Sequence, residues 1–512
     1  MGAFRARLPL FLSFCIAGAA SGSTYYVSPA GSDDAAGTIA APFASLNKAN
    51  SVVTAGDTVW IRGGTYYPTD TTYVKNDNFT AGIFLNKSGT GDDKRIYYWA
   101  YPGEKPVFDF SGMPVSPDSA SGILYTHGIL IQAQYLHIKG IEVRNVPMIH
   151  NSNAGIYISR SKHIFLEQVN SHHNHGAGFF VNEKGTGSAG GHYFLNCDSH
   201  DNYDPDGRQG DGENADGFGV HYQTSGDTTK FYGCRSWWNS DDGWDFINQE
   251  FPVVVENSWA MGNGYADYGT KHPANANGNG FKAGSSQTGT GRHTIKQCVA
   301  WKNYSAGFYA NHSSIGSYWY NNTAYSNGVA FNMWASSWNS AGTRTDGVIL
   351  TGDSAHVMKN NIAYPNKTAY IGTYSGTAYA SGEYNTWNLG ITPKDADFRS
   401  VADPSMTTTG SDLSTLGGAL GARQDDGSLP DIDFLKLSAA SQMIDKGTDV
   451  GIAADGAPDL GAFEYFTSTT FLGKMNTRRK ASAGNSTTTP HYLVNGRSAT
   501  GNTASQIRLY SK

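Results

Sequence analysis

Phe194-Leu195-Asn196-Cys197-Asp198-Ser199-His200-Asp201-Asn202 decides the fold, because the chain repeats it. The same nine-residue pattern ends at Asn174, Asn202, Asn239, Asn263, Asn303, Asn327 and Asn366. Eight positions before each Asn stands an apolar residue: Leu166, Phe194, Phe231, Val255, Ile295, Trp319 and Met358. Six before it comes Gln168, Asn196, Gly233, Asn257, Gln297, Asn321 or Asn360. Three before it is always a small residue: Ser171, Ser199, Ser236, Ala260, Ala300, Ala324 or Ala363. Successive anchor Asn residues lie 28, 37, 24, 40, 24 and 39 positions apart. A common floor with variable excess describes a solenoid whose coils share one circuit and accept loops at set places.

Between the anchors run short segments such as Gly155-Ile156-Tyr157-Ile158 and Gly178-Phe179-Phe180-Val181, punctuated by Gly, Asn and Ser, where a helical repeat would need long 3.6-residue periodicity. The expected class is all-β, a right-handed parallel β-helix whose equivalent residues stack about 4.8 Å apart from coil to coil. The Asn and amide columns are expected to form ladders that satisfy turn backbone groups and one another. Cys197, Cys234 and Cys298 share one column, five before the Asn, and are expected to be buried thiols.

Composition narrows the function. The 512 residues include 62 glycines and 13% aromatics but only 16% charged residues, which argues against disorder and helical bundles. Of the 37 basic residues, two lie in residues 1–23 and seven in residues 467–512, neither segment holding an acid. The body between them carries 28 basic against 43 acidic residues, a balance of −15 that argues against a nucleic-acid surface. Residues 1–23 have a basic start (Arg5, Arg7), an apolar run from Leu8 to Ile16 and small residues after it, the pattern of a signal peptide. That run is far shorter than the roughly 20 residues of a membrane span. A secreted, soluble protein is expected, extracellular or attached to the cell surface, and a monomer. Losing Cys15 with the leader leaves an odd three cysteines, against a disulfide framework. Residues 24–466 are expected to form the β-helix domain and 467–512 a basic Ser/Thr/Asn-rich linker and tail, with one possible strand at His491-Tyr492-Leu493-Val494.

The columns also place the chemistry. After several anchors comes Gly plus an aromatic: Gly178-Phe179, Gly217-Phe218, Gly243-Trp244, Gly280-Phe281 and Gly307-Phe308. Just before these glycines stand Ala177, Asp216, Asp242, Asn279 and Ala306; two after them stand Phe180, Gly219, Asp245, Lys282 and Tyr309. With the aromatic inward, alternation turns the latter column outward. Asp216 and Asp242 are then neighbours on adjacent coils, Asp245 and Lys282 likewise, and Asp241 joins through the turn. Asp-Gly pairs often mark turns and nothing more. Four converging acids, however, repel one another unless protonated or bound to a cation, and an all-carboxylate set suits Ca²⁺. Insertions Tyr203 to Ala215 and Gly264 to Asn277 are expected to wall this patch on both sides. Lys282 beside a cation suits a general base that removes the C5 proton of a uronate sugar, giving β-elimination. Tyr309 is a candidate sugar platform. Arg208, Lys271, His272 and Arg292, in or near the insertions, are ordinary surface charges on this reading.

Asn214-Ala215-Asp216-Gly217-Phe218, Ser240-Asp241-Asp242-Gly243-Trp244-Asp245 and Asn277-Gly278-Asn279-Gly280-Phe281-Lys282 resemble the signature segments of polysaccharide lyase family 9, whose best known members are pectate lyases. Tyr25-Tyr26-Val27-Ser28-Pro29 and Gly63-Gly64-Thr65-Tyr66 look like the start of such β-helix enzymes. The resemblance covers roughly residues 24 to 466 and implies a calcium site of Asp216, Asp241, Asp242 and Asp245 with Lys282 as Brønsted base. It implies cleavage of an acidic plant cell-wall polysaccharide, polygalacturonate or, in some family members, rhamnogalacturonan I. A pectin hydrolase is a second class, but the Gly-His-Gly and Arg-Ile-Lys segments that follow its carboxylate motifs are missing from this sequence. A noncatalytic β-helix that binds carbohydrate is a third.

Overall fold

The computed structural model describes residues 22–74, 79–114, 125–147, 153–183, 189–207, 210–284, 288, 290–365, 373–374, 377–378, 382–402, 418–466, 491–492 and 498–499. The expected leader lies outside them apart from residues 22 and 23. So does the tail, except for residues 491–492, which pair antiparallel with 498–499.

Three long sheets form the body. The first has twelve strands, from Thr24–Val27 to Gly382–Glu383; the second has ten, from Gly64–Tyr66 to Ile362–Tyr364; the third has ten, from Thr72–Val74 and Phe79–Leu85 to Val329–Asn332. Each circuit visits them in turn, as in Phe165–Glu167, Asn170–His172 and Gly176–Asn182. Within these sheets every pairing is parallel except that of Thr72–Val74. The expected registers are those found: Leu166, Phe194, Phe231, Val255, Ile295, Trp319 and Met358 follow one another across the first sheet. The small column runs from Ser171 to Ala363 across the second. The inward aromatics Phe179, Phe218, Trp244, Phe281 and Phe308 stack face to face in the third, with centroids 4.6–5.1 Å apart.

The anchor column is a ladder. The amide of each Asn donates to the side-chain oxygen of the next, from Asn174 through Asn202, Asn239, Asn263 and Asn303 to Asn327, at 2.8–3.0 Å. Asn366 lies outside the described residues. The amide column has a different cause from the one expected. Gln168, Asn196, Gly233, Asn257, Gln297, Asn321 and Asn360 all have φ between 48° and 66°. They turn the chain in the left-handed region that Asn and Gly tolerate best. One ladder contact joins them, Asn360 Nδ2 to Asn321 Oδ1 at 2.9 Å. The three cysteines are free and buried. Their column continues as a second ladder, Asn322 to Asn361 at 3.1 Å and Asn361 to Asn385 at 2.8 Å.

The glycines before the inward aromatics are needed for space. A Cβ on Gly178 would lie 2.0 Å from Ser199 Oγ, and one on Gly217 2.3 Å from Ser236 Oγ. The small column and the anchor ladder thus pack directly beneath these glycines.

Two features depart from a plain all-β coil. Leu46–Val52 is an α-helix capped by Ser45, whose Oγ accepts from Lys48 N at 3.0 Å. Asn47 and Asn50 on this helix bond the backbone of the strand Phe79–Leu85, engaging main-chain groups at that end of the stack. The described residues between 391 and 466 do not add coils but lie along the outer face of the second sheet. There Leu420, Phe434, Leu435, Met443 and Leu460 cover Trp237, Trp259 and Trp301. Arg235 is buried in this seam, paired with Asp198 at 2.8 Å, and Arg423 pairs with the same carboxylate at 2.6 Å.

Candidate active site

Four consecutive strands of the third sheet, Phe218–His221, Trp244–Asp245, Phe281–Lys282 and Ala306–Tyr309, carry the site. Parallel register puts Gly219 beside Asp245, Asp245 beside Lys282 and Lys282 beside Tyr309. The preceding turns bring in the other acids. Asp242 N donates to Asp216 Oδ1 at 3.2 Å, and Asn277 N donates to Asp241 Oδ1 at 2.8 Å. Lys282 Nζ lies 2.8 Å from Asp242 Oδ2 and 3.2 Å from Asp245 Oδ2. All five charged residues are buried. Sequence columns alone predicted this gathering.

Electrostatics follows from the count of four acids against one base. Burial pushes Asp216, Asp241, Asp242 and Asp245 above the usual carboxylate range, the neighbouring acids push Asp216, Asp241 and Asp242 further, and Lys282 opposes the shift in all four. Burial alone would lower Lys282, but the surrounding acids outweigh it and hold the ammonium well above its ordinary value. The donor set fits a hard divalent cation. It consists of oxygens, carries an excess of negative charge that Lys282 does not neutralise, and groups Asp216, Asp241 and Asp242 with ligand atoms within 4.8 Å of one another.

Two residues here escaped the sequence reading. Asn279, in the column of Asp216 and Asp242, donates to Asp242 Oδ1 through its backbone N at 2.7 Å and its Nδ2 at 2.8 Å, fixing that carboxylate. Its own Oδ1 accepts from Ala306 N at 3.1 Å. His221 Nε2 lies 3.8 Å from Asp245 Oδ2, and burial, reinforced by Lys282, lowers the ring to about 3, keeping it neutral. Its signal in the sequence is its place two residues past the outward column, on the strand that follows Asp216. Tyr309 is half-buried and its hydroxyl is pushed up to about 12, mainly by burial.

The two insertions do not stand on opposite sides. Both leave the same turn of the circuit and bind each other. Lys271 Nζ donates to Tyr203 Oη at 2.5 Å and Asn275 N donates to Asp211 O at 3.1 Å across them, while Tyr203 Oη donates to Asp211 Oδ1 at 2.6 Å within the first. His272 is occupied too, stacked on Tyr304 at 3.4 Å between centroids, and Arg292 bonds Ala355 O at 2.7 Å. Arg208 lies outside the described residues.

A second cluster, His172, His173 and His200, sits on the neighbouring sheet. His172 and His200 stack nearly parallel, 4.6 Å apart with 6° between planes, and His200 stacks on Trp237. Parallel imidazoles at that distance cannot both aim in-plane lone pairs at one ion, so this cluster is packing.

Comparison with known proteins is decisive for kinship. Residues 25–343 match the family model described as Pel9A-like, right handed beta helix region. Pectate lyase L of Dickeya dadantii (strain 3937) is 33% identical over 442 residues, covering 86% of this chain and 90% of that relative. The chain belongs to this family. Pectate lyase PEL9 of Emericella nidulans (strain FGSC A4) is 33% identical over 59% of this chain and 73% of that relative. Among solved structures, pectate lyase Pel9A superposes with a TM-score of 0.67 at 31% identity, covering 87% of this chain and 97% of that one. A rhamnogalacturonan lyase superposes with a TM-score of 0.68 at 28% identity, covering 82% and 97%. The fold and the polysaccharide-lyase kinship expected from sequence thus hold.

Proposed function

We propose that this chain is an exported, calcium-dependent pectate lyase that cleaves α-1,4-polygalacturonate by β-elimination. The observation that carries the reading is Lys282 Nζ, buried against Asp242 and Asp245 of the preceding coil within a four-carboxylate cluster. Asp216, Asp241, Asp242 and Asp245 would hold the ion, with Asn279 fixing the Asp242 carboxylate. Calcium bound there would offset the acids around Lys282 and the substrate carboxylate, lowering the pKa of the ammonium and of the C5 proton alike. Neutral Lys282 Nζ then takes the C5 proton; the electron pair left behind forms the C4–C5 double bond as the C4–O bond breaks. Solvent protonates the departing oxygen. The body's net negative charge gives a polyanion no general attraction, so binding is local to the cation and Lys282. Export is supported by the composition of residues 1–23.

A second reading, a rhamnogalacturonan I lyase with the same base, is favoured by the equally good superposition on a rhamnogalacturonan lyase. Product analysis on polygalacturonate and on rhamnogalacturonan I, with and without calcium, tests both. The lyase reading expects an unsaturated uronide with ultraviolet absorbance, lost in chelator and lost in Lys282→Ala. Reducing ends formed without the chromophore would sink it.

A further inference from the structure

The outward column of the third sheet reads Tyr157, Phe180, Gly219, Asp245, Lys282 and Tyr309. Gly219 has no side chain, and Phe180 occupies its place: a Cβ there would lie 2.3 Å from Cδ2 of the Phe180 ring. The half-buried Phe180 ring therefore lies over Gly219, directly beside Asp245. Behind it lies a buried apolar cluster of Leu130, Ala154 and Tyr157, against which Phe180 packs.

His221 follows two residues after Gly219 and sets its ring edge to face against Phe180, with centroids 4.6 Å apart and 80° between planes. His221 is 8% exposed, yet its Nε2 has no hydrogen-bond partner. Asp245 Oδ2, at 3.8 Å, is beyond hydrogen-bond reach. Buried polar atoms are almost always paired; this one adjoins the Asp245–Lys282 pair, where a bound ligand atom would satisfy it. An aromatic face with an adjoining unpaired polar atom matches a sugar, which presents a C–H face to the ring and hydroxyls at its rim.

We propose that Phe180 and His221 form a sugar subsite on the N-terminal side of the Asp245–Lys282 pair, Phe180 stacking under one ring of the polymer and His221 Nε2 exchanging a hydrogen bond with a hydroxyl of that ring. The subsite rests on the lyase reading, because the adjoining sugar is the one Lys282 attacks. Its ligand is the unit next to the reacting uronate.

The test is calorimetric binding of an oligogalacturonate hexamer, in calcium, to Lys282→Ala protein, which binds without turnover. Adding Phe180→Ala or His221→Phe weakens binding about three- to tenfold, whereas adding Phe180→Tyr leaves it within twofold. In the active protein, Phe180→Ala raises KM by a similar factor with kcat nearly held. Calcium affinity measured without sugar is unchanged in each variant. His221→Gln and a thermal melt guard against a misfolded His221→Phe. Equal hexamer binding by parent and variants overturns the subsite. So does a tenfold loss of calcium affinity in both His221 variants, which would assign Nε2 to the ion alongside Asp216 and Asp245. A parent that binds neither this hexamer nor a rhamnogalacturonan oligomer overturns the lyase reading and the subsite with it.

Discussion

Asn279→Ala tests whether the scaffold aims the site. Asn279 is 3% exposed and ties three coils together: two donors hold Asp242 Oδ1, and its Oδ1 accepts from Ala306 N. The substitution keeps the backbone bond to Asp242 but deletes the Nδ2 bond, a contact to a charged group worth about 1.5–3 kcal/mol. It also orphans the Ala306 N–H, at about 1–3 kcal/mol. We expect a loss of about 4 kcal/mol in urea unfolding followed by tryptophan fluorescence and circular dichroism in saturating calcium. Freed on one side, Asp242 no longer holds one orientation, and kcat/KM on polygalacturonate should fall about ten- to a hundredfold, as when partners of metal ligands are removed. Asn279→Asp separates the two roles. It keeps an acceptor for Ala306 N but sets a second carboxylate where the amide donor met Asp242 at 2.8 Å, so activity should fall further than in Asn279→Ala. An Asn279→Ala protein that unfolds within about 1 kcal/mol of wild type and turns over within twofold of it would refute the reasoning.

Gly217→Ala would place a Cβ 2.3 Å from Ser236 Oγ and 2.6 Å from Gly243 O; it should express poorly or melt far below wild type, and Ser236→Ala in the same chain should restore part of the loss. Arg423→Ala removes one of two guanidiniums that hold the Asp198 carboxyl below the usual range against the burial that raises it; because Arg235 still pairs with that carboxylate, equilibrium unfolding should show a loss of about 1.5–3 kcal/mol. A lowered carboxyl pKa stabilises above the unfolded value, about 3.9, and that contribution disappears as pH falls through the folded one. The variant should therefore unfold at a less acidic pH than wild type. Glu464 is raised to about 8 by burial and by Asp459, so its contribution is full at low pH and fades as pH rises from about 4.5 to about 8. The thermal midpoint of Glu464→Gln should vary less over that interval than wild type does.

The sequence exposed what repeats. Each coil samples the same environments, so the three columns of the nine-residue pattern translated directly into strand register, and column arithmetic put Asp216, Asp242, Asp245 and Lys282 together without any structure. What it concealed was singular. The Leu46–Val52 helix occurs once, at one end of the stack, with no second copy to align. The described residues between 391 and 466 have an irregular order because they follow the tryptophans of a finished surface. The amides at Gln168 and its equivalents look like pairing groups in sequence because composition cannot distinguish a side chain chosen for its hydrogen bonds from one chosen for a left-handed backbone. His221 and Asn279 went unmarked for a related reason: each is defined by what it faces across a coil boundary, and neither belongs to a residue type that recurs in its column.

The site is distributed over three successive coils, with Asp216 on the first, Asp241, Asp242 and Asp245 on the second, and Lys282 on the third. Their separation is the strand spacing of a parallel sheet, about 4.8 Å, fixed by backbone bonds such as Gly217 N to Asp242 O at 2.9 Å and Gly243 N to Asn279 O at 2.8 Å. A chain halted before the third coil docks would possess every acid and no base. In a refolding experiment the β-sheet signal would begin to grow with whichever coil formed first, whereas turnover would begin only when this third coil had seated. The lag between the two signals would clock the arrival of one particular coil, giving the solenoid an internal timer for its own assembly.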